Sequence, residues 1–71
     1  MFSRRLNDIR KEKHFTAQHM ADLLDIELRS YRKYESGDRQ PSLTTLVKIA
    51  DILDVSVDYL LGRDDFISKQ I

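Results

Sequence analysis

The chain has 71 residues, with 12 Lys and Arg against 12 Asp and Glu, two glycines, one proline and no cysteine. That length makes one small domain near the lower end of what folds alone. The lack of thiols excludes a disulfide framework and any thiolate metal site, so stability must come from helix packing, with or without oligomerisation.

The formal net charge of zero argues against a polyanionic partner, because neutralised phosphates supply much of the affinity for one. The distribution softens that objection. Arg4, Arg5, Arg10, Lys11, Lys13, Arg29, Arg32, Lys33 and Arg39 precede residue 40, and only Lys48, Arg63 and Lys69 follow it, opposed by Asp51, Asp54, Asp58, Asp64 and Asp65. The expected molecule is a dipole that orients on a polyanion but binds it weakly without specific contacts. No apolar run approaches the ~20 residues of a membrane span, and the N-terminus lacks the apolar core of a signal peptide. The expected location is the cytoplasm.

Phe2, Leu6 and Ile9 recur at helical spacing and predict a first helix over 2–13. Arg10 falls on or near its inward stripe. His14 and Phe15 form a connection, with Phe15 covering an edge of the core. His14 and His19 read as surface residues rather than metal ligands, because no Cys or well-placed carboxylate joins them.

Thr16 is a good N-cap, and Ala17, Met20, Ala21, Leu23 and Leu24 give one apolar face to a second helix, Ala17–Leu24. Asp25-Ile26-Glu27 interrupts the pattern. A third helix runs from Leu28 to about Glu35, with Tyr31 and Tyr34 inward, and Gly37 offers a left-handed stop. Two short helices joined by a turn of about three residues make a helix-turn-helix. Pro41-Ser42 opens a fourth helix with Ser42 as cap, and Leu43, Leu46, Val47, Ile49, Ala50 and Leu53 form its broad apolar face. Ser56 caps a short fifth helix with Asp58 in its first turn, Leu60 and Leu61 inward, and Gly62 as stop. The tail from Arg63 to Ile71 carries Phe66, Ile67 and Ile71 without periodicity, and is either frayed or a dimer contact. The domain is expected to span 1–62 and the tail 63–71.

The segments MADLL (Met20–Leu24), YES-G ending at Gly37, Pro41-Ser42 and DVSVDYLL (Asp54–Leu61), in this order and spacing, resemble the Cro/XRE-like, phage-repressor type of helix-turn-helix domain. The resemblance covers roughly residues 2 to 62. It implies an all-α fold, a compact five-helix bundle, and a homodimeric transcriptional regulator, a repressor, whose partner is double-stranded operator DNA. It also implies a structural ion pair between Arg10 and Glu35. Neither cofactor, metal nor catalysis is expected.

In such a domain the third helix enters the major groove. Arg29 and Arg32 are then candidates for base edges, since an arginine can bond guanine O6 and N7 together. Leu28 is a candidate apolar base contact, Ser30 reaches a base or a phosphate, and Lys33 does likewise. Phosphate contacts are expected from the backbone at Ala17 and Gln18, where a helix start presents N–H groups, and from Ser36, Arg39 and Gln40. Three positions depart from the family pattern. Asp25 stands where relatives commonly carry Gly, Glu27 replaces a Ser or Thr cap, and Ala17 stands where Gln is frequent. Together with the zero net charge, Glu27 and Ala17 favour the alternative, a protein-interaction or antitoxin-like module on the same fold.

Overall fold

The structure is a computed structural model that describes residues 1–63. Within them five helices follow one another: α1 (Phe2–Glu12), α2 (Ala17–Leu24), α3 (Leu28–Ser36), α4 (Leu43–Leu53) and α5 (Val57–Leu60), with no strand among the described residues. The tail beyond Arg63, expected as a frayed end or a dimer contact, lies outside the described residues.

Side-chain caps start three of the helices. Thr16 Oγ1 accepts from the His19 N–H at 3.0 Å, Ser42 Oγ from the Thr45 N–H at 3.2 Å, and Ser56 Oγ from the Tyr59 N–H at 3.0 Å. Each satisfies a donor that a helix start leaves without a carbonyl. α3 starts on Glu27, whose side chain makes no capping bond.

The ends of α1, α2 and α4 share one device. At the end of α1, His14 (φ 63°) is left-handed, its N–H donates to Lys11 O, and the Phe15 N–H donates to Arg10 O. Asp25 (φ 57°) and Ile26 repeat this after α2, bonding Asp22 O and Ala21 O, and Asp54 (φ 56°) and Val55 repeat it after α4, bonding Asp51 O and Ala50 O. These are Schellman closures, in which a left-handed residue reverses the chain and the next, apolar residue folds back onto the helix. Phe15, Ile26 and Val55 all pack against the core. α3 alone of these four ends on glycine, Gly37 at φ 84°.

The helices close around Leu6, Met20, Tyr31, Ile49, Leu53 and Leu60, the largest fully buried side chains. α1 packs on α3 and α5, α2 on α3 and α4, and α4 on α5. Arg5 fastens α1 to α5 twice: Nη1 donates to Tyr59 O at 3.1 Å, and the guanidinium lies 4.9 Å from the Tyr59 ring centroid, a cation–π contact.

Four residues expected inside lie outside. Leu43 is 76 % exposed, and Leu23, Val47 and Leu61 are also exposed. α4 buries the narrower stripe Leu46, Ile49, Ala50 and Leu53. Leu43 is the first residue of that helix and has no preceding turn to pack beside it. Val47 follows the buried Leu46 by about 100° of rotation, which carries it past the edge of the core. Leu23 is displaced in the same way from Leu24, and Leu61 sits where α5 has already ended.

Candidate nucleic-acid interface

α3 is held by its inward tyrosines. Tyr31 is fully buried, and Tyr34 meets it edge to face with ring centroids 6.4 Å apart. The opposite face therefore points outward. Leu28, Arg29, Arg32, Lys33 and Ser36, spaced by one, three, one and three, surround an open depression of about 420 Å³ with Asp38 on its rim. Arg29, Arg32 and Lys33 are exposed, while Leu28 is half-buried, with its inner side against the core. Ser30 is half-buried and does not line this depression.

The hub that orients α3 is Glu35. Its carboxylate receives Arg10 Nε on Oε2 at 2.6 Å, and Arg10 Nη2 on Oε1 at 3.1 Å. Asn7 Nδ2 donates to Oε1 at 2.7 Å, and the Tyr31 hydroxyl donates to Oε2. The remaining Arg10 nitrogen, Nη1, donates to Phe15 O at 2.8 Å and so ties down the connection between α1 and α2. The Arg10 and Glu35 side chains are 13 % and 12 % exposed. This is a forked, charge-assisted pair sheltered from water. Burial alone would push the Glu35 pKa up, but the hydrogen bonds from Arg10, Tyr31 and Asn7 outweigh it and hold the carboxyl below its usual range. Burial, then the bond to that carboxylate, keeps the Tyr31 phenol protonated well above its ordinary value. The bond to Glu35 raises the Arg10 pKa despite burial.

The resemblance pointed to Arg10 and Glu35, and the structure brings them together. Asn7, Tyr31 and Phe15 O are further members that sequence reasoning missed. Only the four-residue spacing of Tyr31 and Glu35, which places them on one helix face, could have signalled one of them.

The expected phosphate contacts are more dispersed. Ala17 and Gln18 occupy the first turn of α2 beside the Thr16 cap, where helix geometry leaves backbone N–H groups directed outward. The Gln18 side chain is engaged locally, donating to Asp22 Oδ1 at 2.8 Å. The Ser36 hydroxyl is shared between Lys33 O at 3.1 Å and Asp38 Oδ2 at 2.9 Å, which turns it toward its own loop. Arg39 and Gln40 are exposed, and the Arg39 N–H donates to Lys33 O at 3.3 Å. Arg29 Nη2 lies 3.7 Å from Glu27 Oε2, both side chains being largely exposed.

His14 and His19 are exposed, and the His19 ring meets Phe15 edge-on at 4.9 Å. Among the described residues, no three His, Asp or Glu gather as a metal would require. No helix among them is long and apolar enough to cross a membrane.

Residues 6–60 match the family model described as helix-turn-helix. The chain is 52 % identical over 61 residues to the uncharacterized HTH-type transcriptional regulator YqaE of Bacillus subtilis, covering 86 % of this chain and 53 % of YqaE. It is 51 % identical over 59 residues to the cryptic phage CTXphi transcriptional repressor RstR of Vibrio cholerae, covering 83 % and 53 %. The chain thus spans about half the length of these curated relatives. The crystal structure of SinR, the master regulator for biofilm formation, in complex with DNA superposes with a TM-score of 0.78 at 31 % identity, covering 86 % of this chain and 98 % of that one. The match to the family model over residues 6–60, the level of identity and the shared fold place the chain in the Cro/XRE-like helix-turn-helix family.

Proposed function

We propose that this chain binds double-stranded DNA in a sequence-specific manner as the helix-turn-helix part of a transcriptional regulator, a repressor, with α3 in the major groove. The observation that carries this is the outward face of α3. Arg29, Arg32 and Lys33 stand exposed around Leu28 on a helix whose other face is locked by Tyr31, Tyr34 and Glu35. A rigid rod with cationic donors on its free side is what reading base edges requires. Arg29 and Arg32 are assigned to bases, Leu28 to a thymine methyl, and Ser30 and Lys33 to a base or phosphate. The backbone at Ala17 and Gln18, and the side chains of Arg39 and Gln40, take phosphates. Ser36 does so only by exchanging its bond to Asp38.

The nine residues of α3 cover about 13 Å of groove, enough for only a few base pairs. We therefore infer a homodimer reading two half-sites about one helical turn apart, at work in the cytoplasm. Titration with mixed-sequence DNA at low salt, followed by selection of bound fragments from random DNA, tests both inferences. Expected are retention that falls linearly in log affinity against log salt and a two-fold symmetric consensus. No retention at low salt would sink the DNA reading and favour a protein-interaction module.

A further inference from the structure

We propose that Glu27 and Arg29 act as one reading unit, a carboxylate beside a guanidinium that demands a G·C base pair at one position of each half-site. The proposal rests on the DNA-binding reading above and names part of the sequence that α3 selects.

Glu27 places a carboxylate at the start of α3, where the helix dipole favours a negative charge. Glu27 occupies the cap position of α3, yet its side chain accepts no N–H from that helix. Oε2 instead lies 3.7 Å from Arg29 Nη2, with the Arg29 and Glu27 side chains 82 % and 77 % exposed. A pair that long and that exposed contributes little to stability. Next to Arg29 and so beside the face built from Arg29, Arg32 and Lys33, a negative charge also works against phosphate attraction. What it offers is an acceptor at the cap position, 3.7 Å from a fork of donors in the first turn of the helix, the end from which base edges are reached.

The major-groove edges decide what such a couple fits. Guanine presents two acceptors, O6 and N7, and its partner cytosine presents the N4 amine, a donor, next to them. Arg29 forks onto the guanine while Glu27 accepts from the cytosine, so each charge finds its opposite. On an A·T pair the same couple fails at both ends. Arg29 then meets one acceptor beside the N6 amine, itself a donor, and Glu27 faces the O4 acceptor and the methyl group of thymine. The unpaired carboxylate penalises the wrong pair, so the residue that weakens overall affinity sharpens the choice of sequence.

The test uses the site selected by the full chain and a panel in which each base pair is replaced in turn, with affinities measured for wild type, Glu27→Gln, Arg29→Ala and the double variant. Arg29→Ala is expected to lose about 5- to 150-fold of discrimination at one G·C pair. Glu27→Gln should lose at least about 5-fold at that same pair, and the double variant no more than Arg29→Ala alone. Tighter binding of Glu27→Gln to every panel member by one common factor, with a steeper salt slope, would overturn the proposal and make Glu27 a repeller of phosphate. So would a loss at a different base pair from that of Arg29→Ala. A wild-type chain that binds no DNA overturns both readings together. A wild-type preference left intact in Glu27→Gln overturns this one alone.

Discussion

Replacing Arg10 by Met keeps the aliphatic stem and removes three charge-assisted contacts: two to Glu35, at 2.6 and 3.1 Å, and one to Phe15 O at 2.8 Å. Glu35 would keep Asn7 and Tyr31 as donors but lose its counter-charge. Breaking a buried pair from one side costs about 3–5 kcal/mol. Because the two side chains are still 13 % and 12 % exposed, some water reaches the orphaned carboxylate, and the low end, about 3 kcal/mol, applies. A domain of this length has only about 4–10 kcal/mol in total, so Arg10→Met should lower Tm by about 12–24 °C. Glu35→Gln should cost about 2–3 kcal/mol, and the double variant should cost about 2 kcal/mol less than the sum. Urea unfolding at pH 7, followed by helical circular dichroism, measures all three. Single variants costing under about 1 kcal/mol, or strict additivity, would refute the reasoning. The pH dependence gives an independent arm. Glu35 has a lowered pKa in the fold, so its contribution is complete above the unfolded glutamate value of about 4.3. It disappears as pH falls through the lowered folded value. Wild type should therefore lose stability on acidification through that window by more than Glu35→Gln does, and parallel curves would contradict the assignment.

Two further outcomes are expected. Arg32→Ala should lose about 1–3 kcal/mol of discrimination at one base position, measured on the same panel of single-pair replacements; a uniform loss across all sequences would make Arg32 a phosphate contact. His14→Gly should stabilise the fold by up to about 1 kcal/mol, since a left-handed side-chain-bearing residue costs about 1–2 kcal/mol and glycine returns part of that as unfolded-state entropy. Thermal melts decide this, and a lower Tm for the variant would show that the His14 side chain contributes more than its backbone costs.

The caps were legible in the sequence because Thr16, Ser42 and Ser56 act through a local chemistry that needs only three neighbouring residues. The turn at Asp25 was legible because the apolar period broke there. His14 and Asp54 were not, although Leu-Asp-Val after α4 repeats the Leu-Asp-Ile after α2, because a left-handed residue with a side chain carries no signature as strong as glycine. Leu43 and Val47 show the limit of periodicity. It gives the direction of an apolar face but not its width, which is set by how near the neighbouring helices come. At the candidate interface, the exposed cations of α3 followed from the inward placement of Tyr31 and Tyr34. The bonds that hold Ser36 and Gln18 away from outside partners did not, since each depends on one rotamer.

The convergence on Glu35 has a consequence for genetics. One acceptor gathers Asn7 and Arg10 from α1 and Tyr31 from within α3, so the roll of α3 about its own axis is fixed from the far side of the domain. A screen for loss of operator recognition should therefore recover changes at Asn7, a residue of α1 that does not line the outward depression of α3, and such mutants would carry intact arginines pointed the wrong way.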